Sequence, residues 1–312
     1  MRGSLRPLSV EPASALRLGR LAIGARTESA AWAKAYAERL EAGSIVGRLY
    51  VVDGVATGFV SWSGDGPVGA SVDLLYAAPR DPAPPEYGAI LSAVGEEAGP
   101  VAFVAGPLAG LSPAEEERLM RSLGFRRYGR SEMVLDTDDR LREPGSAPGE
   151  RLRPVELSDL PALARLHEEA YRNTFDRYLF LELTDEREDA LREVREIANG
   201  RWGEFYLEGS WIAEHDGEPV GAVLSVRGQA GALIADVMVS PGARGRGVGR
   251  RVLTAAVRSM RSNGGLRIYL NVTEGNEPAL RLYRGLGFVR SIGPTRDWYN
   301  SARIPVPPFP GA

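Results

Sequence analysis

Residues 233–260, LIADVMVSPGARGRGVGRRVLTAAVRSM, change periodicity halfway along, and that change decides the fold. Up to Val239, the residues Leu233, Ala235, Val237 and Val239 alternate with Ile234, Asp236 and Met238, the period-2 pattern of a strand. From Val248 onward, Val252, Leu253, Ala256, Val257 and Met260 recur on one side of a helix. Between the two lies Arg244-Gly245-Arg246-Gly247-Val248-Gly249. Its glycines accept backbone angles that side chains resist, and they leave the amides unobstructed at a helix N-terminus. That terminus carries partial positive charge, so the loop is expected to hold a pyrophosphate. After a stop at Asn263-Gly264-Gly265, the residues Leu266, Ile268, Leu270 and Val272 alternate again. Strand, helix, strand at this length implies a parallel, right-handed crossover.

The chain also repeats itself. Asp53-Gly54 returns 163 residues on as Asp216-Gly217, Gly58 as Gly221, Val60 as Val223, Asp73 as Asp236, and Leu123-Gly124-Phe125 as Leu286-Gly287-Phe288. At that offset the glycine loop falls on Asp81-Pro82-Ala83-Pro84-Pro85-Glu86, where three prolines lack an N–H and an acid stands at each end. One copy is expected to cradle an anion and the other is not. The copies begin alike at a shorter offset, Leu5-Arg6-Pro7-Leu8 against Leu152-Arg153-Pro154-Val155. The second copy therefore carries roughly sixteen extra residues, placed within 171–182. The segment 136–150, DTDDRLREPGSAPGE, is charged and rich in turn formers, as an exposed linker is. The expected organisation is a first domain at 1–140, a linker at 141–150, a second domain at 151–303 and an extended proline-rich tail at 304–312.

With 312 residues, 44% of them hydrophobic, the chain is long enough for two cores. A net charge of −3 offers no basic field for nucleic acid, although Arg244, Arg246, Arg250 and Arg251 gather positive charge at one spot. There is no cysteine, and His167 and His215 are the only histidines, which excludes disulfide, thiolate and Cys/His zinc chemistry. Each histidine is expected at a surface or in a hairpin, without a role, and no metal is expected. No apolar run approaches the roughly 18 residues of a membrane span and no signal segment opens the sequence, so no membrane partner is expected and the compartment is the cytoplasm. Helical spacing marks 160–171, capped by Ser158 or Asp159, and 187–198. Strands at 211–214 and 220–226 flank the Asp216-Gly217 turn, and a helix at 278–286 precedes a final strand pair.

These features of the second copy resemble the GNAT superfamily of acyl-CoA-dependent N-acyltransferases over about 150 residues, and the first copy resembles it more faintly. The superfamily's phosphate motif, Arg or Gln followed by x-x-G-x-G, is matched by Arg244, Gly247 and Gly249 after Val239-x-Pro241, and its later motif by Asn276, Ala279, Tyr283 and Gly287-Phe288. The resemblance implies an α/β (α+β) fold of the tandem-domain type. Each domain would be a mixed, mostly antiparallel twisted sheet flanked by helices, with the parallel crossover at the cofactor site. It implies acetyl-CoA as acyl donor, its diphosphate on Gly245, Arg246, Gly247, Val248 and Gly249 with Arg250 beside them. Arg244 either points at phosphate or stabilises the turn. The loop's strand would splay from the next, freeing backbone amides of Val237, Met238 and Val239. Tyr283 stands where the superfamily places the acid that protonates the departing thiolate, and Met120 replaces it in the first copy. Asp236 is a candidate base, or a carboxylate that serves the backbone as Asp73 would; Glu214 and Glu204 are lesser candidates. Asn271 stands where protein N-terminal acetyltransferases often carry a glutamate, which points away from a protein acceptor. Asn276 binds the cofactor, caps the next helix, or both. The segment 171–182 either borders the acceptor pocket or packs against the first domain. The activity so implied is acetyl transfer to a primary amine of a small molecule, with an acyl-CoA sensor, an enzyme acting on a protein amine and a non-catalytic assembly module as alternatives.

Overall fold

The computed structural model describes residues 3–7, 36, 38–64, 68–78, 85–135, 141, 147–180, 186–200, 202–228, 231–263 and 267–305. Asp81–Pro84 of the proline segment, Gly264-Gly265 and most of the tail lie outside them. The strands are β1 (Ser4–Pro7), β2 (Val46–Val52), β3 (Val55–Ser63), β4 (Ala70–Ala77), β5 (Val101–Val104), β6 (Phe125–Tyr128), β7 (Arg130–Leu135), β8 (Glu150–Pro154), β9 (Glu204–Phe205), β10 (Trp211–His215), β11 (Glu218–Gly228), β12 (Gly231–Val239), β13 (Ile268–Thr273), β14 (Phe288–Ile292) and β15 (Asp297–Asn300). The helices are α1 (Tyr87–Ala98), α2 (Pro113–Ser122), α3 (Leu160–Tyr171), α4 (Asp176–Phe180), α5 (Glu186–Ala198), α6 (Val248–Ser262) and α7 (Glu277–Gly285). No helix among the described residues is long and apolar enough to cross a membrane.

The repeat is visible in the backbone. Asp53 and Asp216 both have φ +52°, and Gly54 and Gly217 follow at +81° and +85°. Two successive left-handed residues are what a two-residue hairpin turn of matching twist requires. A register irregularity recurs as well, between Ser61 and Trp62 and again between Leu224 and Ser225. It falls opposite the segments that carry Asp73 and Asp236.

The chain forms two compact units. One takes the described residues of Met1–Tyr128 and Thr295–Pro307, with strand order β1-β2-β3-β4-β5-β15-β6. The other takes those of Gly129–Pro294, with order β14-β7-β13-β12-β11-β10-β8 and β9 beside β11. Each sheet is mostly antiparallel, with parallel pairing at β4–β5 in the first and β12–β13 in the second. These assignments differ from the boundaries at 140 and 151. β7 is made by the first copy but lies between β13 and β14, while β15 is made by the second but lies between β5 and β6. The final two strands, β14 and β15, therefore do not pair with each other. Sequence similarity follows chain order, and strand pairing need not.

In the second unit one face of the sheet packs α6 and α7, through Val252, Leu253, Val257 and Leu280, on Val223, Ile234, Met133 and Leu135. The other packs α3 and α5, through Leu163, Leu166, Val194 and Ile197, on Ala222, Leu224 and Met238. Asp159, expected to cap α3, instead accepts the Glu156 amide at 2.8 Å and two guanidinium N–H groups of Arg153.

Candidate active site

β12 and β13 pair only from Ala232 with Ile268 to Ile234 with Leu270. Beyond Ile234 they part, while β12 continues along β11 as far as Val239 opposite Gly221. The Ser240 amide donates to the Val220 carbonyl at 3.0 Å, which fixes the alternation. Asp236 and Met238 direct their amides to β11, whereas Val237 and Val239 direct theirs into the opening that β13 leaves. Met238 is fully buried and does not face the opening, so of the three expected strand amides two are suitably placed.

The strand runs into the glycine loop. Gly245 and Gly247 have φ +75° and +79°, and Gly247 is the N-cap of α6. A side chain on Gly249 would begin 3.3 Å from Val239 Cγ2 and 3.4 Å from Leu282 Cδ2, closing the passage between strand and helix. The arginines divide their work. Arg251 donates twice to Glu150 at 2.5 Å and once to the Arg246 carbonyl at 2.9 Å, tying the loop to β8. Arg250 reaches the Gly285 carbonyl at 3.2 Å. Arg244 donates to the carbonyls of Ala170, at 2.6 Å, and Val239, at 3.3 Å. These two bonds brace the turn, one of them against the end of α3.

A cavity of about 660 Å³ opens here, and it takes in every sequence-predicted site residue except Met238, the exposed Arg246 and the lesser candidates Glu204 and Glu214. Glu214 and Glu204 do not line it; Glu214 is engaged by Arg153 at 2.6 Å. Asn271 faces it from β13, opposite Glu132 of β7. Asn276 is the N-cap of α7, its side chain accepting the Ala279 amide at 3.2 Å while also bonding Asp176.

Tyr283 projects from α7 into the cavity, its ring 6.0 Å from that of Phe288. Burial raises its pKa, and the charges of Asp236 and Asp176 push it higher. Asp236 is 6% exposed. Its Oδ1 accepts the Tyr171 hydroxyl at 2.6 Å, and its Oδ2 stands 3.6 Å from His167 Nε2. Burial pushes its carboxyl up, against the opposing pull of His167, Tyr171 and the Val237 amide. His167, expected at a surface, is 2% exposed on the inner face of α3, and burial lowers its pKa. Asp176, a second cavity carboxylate raised by burial, accepts the Thr273 hydroxyl at 2.5 Å and lies near Arg130. His167 and Tyr171 stand four apart on a helix, a spacing that could have paired them. Asp176 falls in the extra segment 171–182, of which Tyr171, Thr174 and Asp176 line the cavity, whereas no local signal marks Arg130.

In the second unit a parallel strand pair thus opens onto a glycine-capped helix. Residues 160–288 match the model of the Acetyltransferase (GNAT) family, whose members generally transfer acetyl from acetyl-CoA to amines. A segment of 92 residues is 35% identical to mycothiol acetyltransferase of Nocardiopsis dassonvillei, covering 30% of this chain and 24% of that one, so the chain matches about a quarter of that relative's length. A GCN5-related N-acetyltransferase from Sphaerobacter thermophilus shares the fold over 95% of both chains, at 21% identity and a TM-score of 0.65. A tandem GNAT protein from the clavulanic acid biosynthesis pathway does so over 95% of this chain and 97% of its own, at 16% identity and a TM-score of 0.58.

Proposed function

We propose that the second unit binds acetyl-CoA and transfers its acetyl group directly to a primary amine of a small molecule, while the first unit is non-catalytic. The observation that carries this reading is the coincidence, in one cavity, of the parted β12 edge, the glycine loop and the pair Tyr283 and Asp236. Acetyl-CoA supplies an activated thioester carbonyl and a thiolate leaving group. The residues fit it. The loop amides and the α6 N-terminus suit a diphosphate, the missing side chain at Gly249 leaves the passage clear, and the Val239 amide faces the course of an extended arm. The Val237 amide, next along the same edge, supports the Asp236 carboxylate. Asp236 accepts the proton of the incoming amine, and Tyr283, kept protonated by its burial, returns one to sulfur. Asn271 in place of an acid, together with the likeness to an enzyme named for mycothiol, favours a small acceptor over a protein.

Titration calorimetry with CoA is expected to give one equivalent per chain. Gly249→Val should weaken binding at least about tenfold with an unchanged thermal midpoint, because its branches occupy the passage rather than the core. Two equivalents would overturn the reading that the first unit has lost its site.

A further inference from the structure

Asp236 and Asp73 occupy equivalent places in the two sheets, but their neighbours differ. In the first unit Asp73 lies 3.6 Å from Arg39, a guanidinium that stays charged at any working pH. In the second unit that permanent cation is replaced by two titratable groups of α3. Tyr171 donates to Asp236 Oδ1 at 2.6 Å, and His167 Nε2 stands 3.6 Å from Oδ2. The two side chains are one helical turn apart with ring centroids 4.5 Å apart, so a single face of α3 presents both to the carboxylate. The cluster is not optimised for stability. Asp236 Oδ2 and His167 Nδ1 are buried without a hydrogen-bond partner; the first unit shares the orphaned oxygen, at Asp73 Oδ2, but has the Arg39 guanidinium beside it. It also lines the cavity, through Tyr171 and Asp236.

We propose that His167 and Tyr171 are positioning residues which, within the acetyl-transfer reading above, hold Asp236 as the base for the incoming ammonium. The ammonium gives its first proton to Asp236, which later releases it to water. The nitrogen lone pair then forms the C–N bond while the C–S pair leaves on sulfur; the second nitrogen proton replaces the one that Tyr283 hands to the thiolate. Tyr171 fixes one carboxylate oxygen and His167 stands beside the other. The charged and titratable groups around Asp236 are His167 and Tyr171 from α3, Asp176 from α4, Arg130 from β7 and Tyr283 from α7. Tyr171 and His167 both favour the anion. Replacing either residue should therefore raise the pH at which the base loses its proton.

The test uses the full chain with CoA bound. The Asp236 carboxyl is titrated by infrared difference spectroscopy, with Asp236→Asn identifying its band, in the wild type, Tyr171→Phe and His167→Asn. Both substitutions are expected to move the midpoint upward while leaving CoA affinity unchanged. With a primary amine turned over by the wild type, each should lower kcat about tenfold and shift the acidic limb of kcat/KM to higher pH. Tyr171→Phe removes one oxygen and keeps the ring, so it decides the matter if His167→Asn does not fold. Unmoved midpoints, or pH profiles that superimpose on the wild type while Asp236→Asn is inactive, overturn the positioning role and leave the transferase reading standing. Full activity in Asp236→Asn overturns the base assignment itself, and absence of CoA binding overturns the transferase reading instead.

Discussion

A chain cut to residues 151–303 is expected to show no cooperative thermal transition and no CoA affinity, whereas a cut at 129–294 recovers both. The difference is β7. It is not an edge strand: β13 pairs along one side from Tyr269–Val134 to Thr273–Arg130, and β14 pairs along the other from Phe288–Leu135. Met133 and Leu135 point into the core under α6 and α7. Losing either side chain from a packed core costs about 2–5 kcal/mol. Together they approach the whole stability of an ordinary domain, about 5–15 kcal/mol, before the lost ladder is counted. The cut also removes Arg130 from the cavity and leaves β14 without a partner. Differential scanning calorimetry on the two fragments distinguishes the outcomes, and a sharp transition from 151–303 would show that β7 is dispensable.

Tyr283→Phe is expected to lower kcat about 100-fold while CoA affinity and thermal midpoint stay close to those of the wild type. The ring is held by the core and by Phe288, and phenylalanine keeps that contact, so the lost oxygen is the only change. General acid catalysis contributes about 10²–10⁴-fold in rate, and the lower end suits a leaving group as acidic as a thiol. The buried hydroxyl, facing the carboxylates of Asp236 and Asp176, has its pKa raised and keeps its proton through the neutral range. The loss should therefore be the same from acid to mildly alkaline pH. Thiol release with a panel of primary amines provides the measurement. Unchanged kcat would assign proton delivery to another group, and a wild type silent with every amine would favour a sensor.

Much of this was legible in the sequence because it is local. The switch of period at Arg244–Gly249 located the crossover, and Asp216-Gly217 and Asp53-Gly54 located matching hairpins whose backbone angles agree within a few degrees. α3 was bounded to the residue, since its apolar spacing and the chain reversal after it coincide. Other features escaped for a common reason: they depend on residues distant in the chain. His167 looked like a solitary polar residue until Asp236, from a strand 69 positions later, lay beside it. The sequence left Arg244 open between phosphate and the turn, and the Ala170 carbonyl it reaches lies 74 residues earlier in the chain. The exchange of β7 and β15 was invisible for a different reason. Both strands have the composition their own copy predicts, and nothing in a strand's sequence names the neighbour it will pair with.

The exchanged strand β15 also sets a timetable. It stands between β5 and β6, with Trp298 in the first unit's core, its indole N–H on Glu116 at 2.9 Å and its neighbour Asp297 accepting the Gly106 amide at 3.1 Å. During synthesis the first 128 residues leave the ribosome with this slot unfilled. At about 5–20 residues per second, the segment that closes it arrives on the order of ten to thirty seconds later. For that interval two strand edges and a tryptophan-sized apolar recess face solvent, a state that nascent-chain chaperones are suited to shield.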